Sequence, residues 1–472
     1  MSDIYDYQVD YLLLLVGSNP LPNAVAGKLL TATAGAITLI YSKDGPALAQ
    51  RLSAWLRAGH SDTTIDLKEV KESDANSVEE SIREALTNYE RKVIEEYKSN
   101  SSNANSGQKI RIGLNYTGGT KVMAVHAHLA LEKWIKGPHK HDIFSSDPLF
   151  SYLDARTLQM CFDPASGRPA ISFYVGREVG IGIRDLLQLH GWELEKNSPT
   201  TVPVLPQSAK ALLTVHGNPA NTEIWKTWLR DELFHKAKKQ KLLDSPFWVF
   251  QSEQELQGQY EVKYSGYETN WKNNPSLQKL ELSWPGLPTL RATMSKELEQ
   301  DGDENFKLTI GIPSSHNEAV KFCKWLSGTW LESAVLSVLQ DCAQELHFND
   351  CGMDIQPKAV GSSGVHFQFD VAAMRGYQLF AFSCTTESKN RGLLKQKLFE
   401  VYVRARQMGG DEACAALVCC VTPEMADELV NEMRHDVVLK DRIRAFNREQ
   451  LTGLATHIKD WVSKQSQDPE QR

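Results

Sequence analysis

Two groups of residues in this chain have types and spacings suited to chemistry. The first is Asn115-Tyr116-Thr117-Gly118-Gly119-Thr120-Lys121, which follows an apolar run and opens a helical pattern carrying Met123, Ala127, Leu131 and Trp134. Glycines let a ligand approach the backbone, and the N–H groups at a helix start attract anions. Thr117 and Thr120 add hydroxyls, and Lys121 adds a point charge suited to phosphate. The second group is Glu332, Asp370 and the polar strand end Ser383-Cys384-Thr385-Thr386. Carboxylates are hard oxygen donors of the kind that suit a divalent cation.

The elements that must position the first group read as strands alternating with helices. Residues 11–16 form a buried strand, Gly17-Ser18-Asn19-Pro20 begins its polar loop, and residues 24–30 form a helix. A further strand, 36–41, ends in Ser42-Lys43-Asp44. This alternation predicts a parallel sheet, with ligands past the carboxyl ends of its strands. Three polar loops at that edge predict one pocket, lined by Gly17, Ser18, Asn19, Pro20, Ser42, Asn115, Thr117, Gly118, Gly119, Thr120 and Lys121. Residues 99–108 read as a flexible surface loop, and the prolines at 203 and 206 mark a linker.

The later chain divides further. Residues 207–315 read as a small mixed α/β connecting module, with a helix at 222–241 ending in Lys236, Lys238, Lys239 and Lys241. Its aromatics, Phe247 to Trp284, are more often core than nucleobase platforms. Residues 316–462 return to α/β order. A helix at 317–340 carries Glu332, an alternating strand at 367–371 carries Asp370, and a buried strand at 378–382 ends at Ser383. An amphipathic helix at 392–408 closes on Gly409-Gly410, and residues 463–472 form a frayed tail.

The paired loops Gly-Ser-Asn-Pro-x-Pro-Asn and Asn-Tyr-Thr-Gly-Gly-Thr-Lys resemble those of the CARF domain, the CRISPR-associated Rossmann-like sensor. Residues 1–200 are taken as that domain. The order Glu332, Asp370, Ser383 resembles the PD-(D/E)xK nuclease fold, a restriction-endonuclease-like α/β domain, in the branch that follows a CARF domain. The resemblance implies an effector of type III CRISPR antiviral defence: a cyclic-oligoadenylate-activated nuclease cutting DNA, RNA or both. It further implies a homodimer with the ring, tetra-adenylate as first choice, bound across the twofold axis. Mg²⁺ or Mn²⁺ would be held by Glu332, Asp370 and the Cys384 carbonyl.

The family's motif is incomplete here. Ser383 stands at the acidic position and Thr385 at the lysine position. Lys395 is the first choice for a relocated lysine, with Lys389 and Lys397 as alternatives, and Glu387 is a candidate for the missing carboxylate. A catalytically degenerate binding or transcription-regulating protein is the alternative reading.

Composition sets outer bounds. The 472 residues suffice for two or three domains, and a net charge of -7 argues against a basic coat for nucleic acid while allowing a local basic channel. The longest apolar run is too short for a bilayer, and no secretory signal is visible, so a cytoplasmic, membrane-free protein is expected. Eight cysteines without paired spacing predict buried thiols in a reducing compartment. Arg230 with His235, and Arg184 with His190, match HEPN-like spacings but read more simply as solvated helix faces. His139 and His141 lack partners for zinc. Neither a dinucleotide fingerprint nor a Walker phosphate loop is present.

Overall fold

The computed structural model describes residues 3–59, 62–99, 109–138, 143–164, 169–196, 198–228, 281–283, 291–298, 304–310, 325–360, 367–436 and 440–465. The basic helix end at Lys236 to Lys241, the aromatics at Phe247 to Trp271, Arg230, His235, His139 and His141 lie outside these residues.

The N-terminal half is a seven-stranded sheet in the order β3-β2-β1-β4-β5-β6-β7. Its strands are β1 (Val9–Leu15), β2 (Thr31–Ser42), β3 (Thr64–Val70), β4 (Ile112–Asn115), β5 (Leu149–Asp154), β6 (Gln159–Phe162) and β7 (Ile171–Tyr174). The first five are parallel, and β6 and β7 turn antiparallel. Helices α1 (Leu21–Leu30), α2 (Pro46–Gly59), α3 (Ala75–Ser99) and α4 (Lys121–Ile135) make the crossovers. The period-2 alternation of β1 decides what each face meets. Tyr11, Leu13 and Leu15 pack with Val78, Ile82, Met123 and Leu131 of α3 and α4. Leu12, Leu14 and Val16 join the cluster of α1 and α2.

After α5 (Ile183–Leu189) and β8 (Trp192–Leu194) come α6 (Pro206–Gly217) and α7 (Pro219–Trp228). Strands β9 (Glu281–Ser283), β10 (Arg291–Leu298) and β11 (Glu304–Ile310) form a separate antiparallel sheet. The second large sheet runs β12-β14-β15-β16-β17. It comprises β12 (Phe348–Ile355), β14 (Phe369–Arg375), β15 (Gln378–Thr385), β16 (Cys414–Cys419) and β17 (Ile443–Phe446), and β13 (Pro357–Ala359) pairs instead with β8. Its helices are α8 (Trp330–Asp341), α9 (Ala343–Leu346), α10 (Arg391–Gly409), α11 (Pro423–Asp436) and α12 (Leu454–Lys464). A π-helical turn, Trp325–Thr329, precedes α8 where the sequence predicts uninterrupted helix. The expected α/β class and the Rossmann-like N-terminal half stand.

The second sheet also sorts its side chains by alternation. Phe380, Phe382, Ala416 and Val418 face α8, α12, α6 and α7. Leu379, Ala381, Ala415 and Leu417 face α10 and α11, in the same apolar cluster as Leu12 and Leu14 of β1. The middle helical layer therefore serves both sheets. This corrects the expected boundary at 207: Ala209, Leu212, Leu213 and Trp225 are buried in the C-terminal core, so α6 and α7 belong to it. The described cysteines carry free thiols, and Cys342, Cys384, Cys414, Cys419 and Cys420 are buried. No described helix is long and apolar enough to cross a membrane.

Arg442 ties the halves across the shared layer. Its guanidinium donates to the Glu412 carbonyl at 2.7 Å and to the Ala155 and Arg156 carbonyls at 3.1 Å each. Arg442→Met leaves these buried acceptors without a charged donor. It is expected to lower the unfolding free energy by about 1–3 kcal/mol, as measured by denaturant titration; an unchanged midpoint would show the tie to be inert.

Candidate functional site

The two glycine loops meet at the carboxyl ends of β1 and β4. The strands are parallel neighbours with Leu14 opposite Asn115, so their loops emerge side by side. No side chain fits between them. A Cβ on Gly118 would overlap the Leu15 carbonyl oxygen and lie 2.8 Å from the Gly17 nitrogen. A Cβ on Gly17 would lie 3.0 Å from the Gly119 nitrogen, and Gly119 itself takes φ +73, which favours glycine. Asn23, fully buried on α1, donates Nδ2 to the Leu15 carbonyl at 2.9 Å, and its Oδ1 has no hydrogen-bond partner among the described residues. The sequence offered Asn23 only as the last letter of a loop motif.

Among the predicted pocket residues, several polar groups are engaged inside the fold. Asn115 is fully buried. Its Nδ2 donates to Ser151 Oγ at 3.1 Å, and its Oδ1 accepts from the Thr117 hydroxyl at 2.8 Å. Thr117 Oγ1 accepts in turn from the Leu153 N–H at 2.7 Å. Thr120 caps α4, accepting from the Met123 N–H at 3.2 Å and donating to the Glu72 carbonyl at 3.2 Å. Asn19 Oδ1 accepts from the Leu21 N–H at 3.1 Å. Pro20 is buried, and Gly17, Ser42, Gly118 and Gly119 are half-buried. Ser18 and Lys121 are exposed, and Lys121 forms no ion pair among the described residues. Two cavities, of about 340 and 600 Å³, lie away from these loops.

The second group assembles at one end of the C-terminal sheet. Asp370 and Ser383 stand opposite each other, one step beyond Val371 and Phe382. Asp370 Oδ2 accepts from Ser383 Oγ at 3.0 Å and from the Cys384 N–H at 2.7 Å. Glu332, in the first turn of α8, lies beside them. Burial foremost, then the charges of Asp370 and Asp354, push its carboxyl up to about 8, against an opposing pull from Lys397. Burial likewise raises the Cys384 thiol.

Lys395 is not in this group. It is exposed and pairs with Glu432 on α11 at 2.8 Å, because residues two apart on a helix face different ways. Lys397 is the lysine near Glu332 and Cys384. Lys389 lies outward, 4.0 Å from Glu223. Glu387 is not a spare metal ligand either: its Oε1 accepts the N–H groups of Ser388, Lys389 and Asn390 at 2.8, 2.7 and 3.1 Å. Those bonds hold it below the usual carboxylate range. Thr385 Oγ1 accepts from the Glu387 N–H at 3.2 Å, in the same loop.

Asp354 went unnoticed in the sequence. Register runs from Met353 opposite Val371 to Ile355 opposite Phe369, which sets Asp354 across from Asp370. Its φ of 54 is strained for a non-glycine residue, and its carboxylate accepts from the amides of Gln356 and Gln368. Only strand register could have revealed it. Among the described residues no three His, Cys, Asp or Glu side chains converge as a metal cluster.

The fold thus defines a two-part α/β protein, a Rossmann-like domain packed on a second α/β domain. No family model and no curated protein matches the sequence. Among solved structures, VC1899 from Vibrio cholerae is similar over the whole length, with TM-score 0.62 at 16% identity, covering 97% of this chain and 98% of that one. Can2 from Sulfobacillus thermosulfidooxidans, solved in complex with cyclic tetra-adenylate, gives TM-score 0.58 at 14% identity, covering 98% and 99%. At these identities the likeness establishes the fold.

Glu332 generates a pH prediction. Its folded value near 8 stands above the ordinary 4.5. Between those values the unfolded chain has released the proton and the folded chain still holds it. Stability therefore falls as pH rises through that window, by up to about 1.4 kcal/mol per unit. In chelator, Glu332→Gln should gain melting temperature over wild type progressively from pH 5 to pH 8; a pH-independent difference would contradict the assignment.

Proposed function

We propose that this chain is a cyclic-oligoadenylate sensor that controls a nuclease-like domain in type III CRISPR antiviral defence. One observation carries the reading. The two glycine loops interlock at the carboxyl edge of a parallel sheet, in a chain whose fold follows Can2, solved with cyclic tetra-adenylate, from end to end. The ligand side of the loops presents Ser18, Lys121 and the backbone of Gly118 and Gly119. Lys121 supplies charge for phosphate, and the start of α4 supplies N–H groups. Val122, Val125 and Leu129, exposed by 36%, 55% and 39%, form an apolar stripe on α4 beside those loops. That stripe supports a homodimer, with one ring shared by two copies of the loops.

The residues of the second group fit a divalent cation. Glu332 and Asp370 are hard oxygen donors, and the carboxyl of Glu332 is pushed up by burial first and by the neighbouring charges of Asp370 and Asp354 second. A cation there would reverse that penalty. Glu332, Asp370 and the Cys384 carbonyl would hold Mg²⁺ or Mn²⁺, which when bound supplies Lewis acidity and a hydroxide nucleophile. The chain's own residues do the rest. Ser383 Oγ and the Cys384 N–H fix the Asp370 carboxylate. Lys397 stabilises charge developing on the phosphodiester, the part the motif assigns to position 385. The second reading is a regulated domain without hydrolysis. It is favoured by the replacement of the motif acid at Ser383 and by one Asp370 oxygen already accepting two hydrogen bonds.

The deciding assay incubates the protein with cyclic tri-, tetra- or hexa-adenylate and Mg²⁺ or Mn²⁺, against plasmid DNA and single-stranded RNA. Cleavage is expected only with ring and metal together, to be abolished by Asp370→Ala and reduced at least tenfold by Lys397→Ala. Ring binding without cleavage selects the second reading. Lys121→Ala should weaken calorimetric ring affinity by about 1–3 kcal/mol, and light scattering should return a dimer before ligand is added.

A further inference from the structure

The Asn19 side chain reaches from the sensor loop to the far end of α10. While its Oδ1 accepts from the Leu21 N–H at 3.1 Å, its Nδ2 lies against Gly410. A Cβ on Gly410 would overlap Asn19 Nδ2 and lie 2.7 Å from Glu412 Oε2. Gly410 takes φ 70 and ψ -158 as the cap of α10, a conformation open to glycine. Gly409 is equally confined: a Cβ there would lie 2.9 Å from the Cβ atoms of Leu379 and Ala413. The helix end is thus wedged between Asn19 and the start of β15. Glu412 is buried at this helix end, where a Cβ on Gly410 would crowd its carboxyl.

The other end of α10 stands at the carboxylates. Asn390 caps it, accepting from the Leu393 N–H at 3.1 Å, and Lys397 lies two turns inside. Nineteen residues separate the ends, about 28 Å of helix. A helix this long, buried along Leu394, Leu398, Val401, Ala405 and Met408, moves as a rod rather than bending. Displacement at Gly410 therefore reaches Lys397.

We propose that Asn19 is a positioning residue that couples the ligand loop to α10, so that ring binding shifts the helix carrying Lys397. The proposal rests on the ring-binding reading of the sensor loops. The Asn19 amide oxygen is held by the Leu21 N–H while its nitrogen faces Gly410, so its contact with α10 is read apart from ring affinity when the ring is saturating.

The test uses the full-length protein, cyclic tetra-adenylate, calorimetry for binding and hydrogen–deuterium exchange over residues 386–410, a readout that needs no hydrolysis. In wild type the ring should change exchange by at least threefold at both ends of α10. Asn19→Ala, studied at ring concentrations that calorimetry shows to saturate it, should lose the change at the Lys397 end. Asn19→Ser, which keeps a capping oxygen for α1, should behave alike and guards against a folding defect. If either variant retains the full response, or if wild type binds the ring with no change along α10, the coupling is overturned while ring binding stands. If wild type binds no ring at all, the sensor reading fails and the coupling with it.

Discussion

The middle helical layer is the constraint on which everything else depends. Leu12 and Leu14 from one sheet pack on α1 and α2, Leu379, Ala381 and Leu417 from the other on α10 and α11, and all of them lose their water in one apolar cluster. At about 25 cal/mol per Å² of apolar surface buried, neither sheet reaches full burial unless the other is in place. The polar ties follow from this packing rather than causing it. Arg442 can satisfy the carbonyls of Ala155 and Arg156 only because the layer brings residues nearly three hundred positions apart into contact. Gly376, at φ 58, is needed because the Gly176 carbonyl presses against it across the same boundary.

What was legible in the sequence was what short-range pattern determines. The buried strands and the glycine turns follow from periodicity and turn chemistry, and the sheets bear them out as elements. What was not legible depended on direction and on partners. Asn115 and Thr117 look like ligand groups because they are polar and lie in a loop, yet each hydrogen-bonds inside the fold. Lys395 and Lys397 differ by two residues, and only the packing of α10 decides which one turns toward the carboxylates. Helices α6 and α7 are amphipathic, but amphipathicity does not name the core that receives the apolar face. Asp354 belongs to no motif; strand register alone sets it opposite Asp370.

The second group is an electrostatic compromise. Asp354 and Asp370 oppose each other on neighbouring strands, an arrangement that costs stability between like charges. Local donors offset part of the cost: two glutamine amides at Asp354, a hydroxyl and an N–H at Asp370. At Glu332 burial, then the charges of Asp370 and Asp354, push the carboxyl up to about 8. Ser383 brings no charge to this corner and donates its hydroxyl to Asp370, which keeps the repulsion from growing.

The shared layer also bears on how such a chain can change over generations. In proteins joined by an exposed linker, either half can be exchanged by recombination, since each carries a complete core. Here a recombinant that replaced the first 200 residues would have to present a wall matching Leu394, Val401 and Met408 of α10. Substitutions on one side of the layer therefore select which substitutions the other side tolerates. The two halves are bound to drift together, as a single inherited unit.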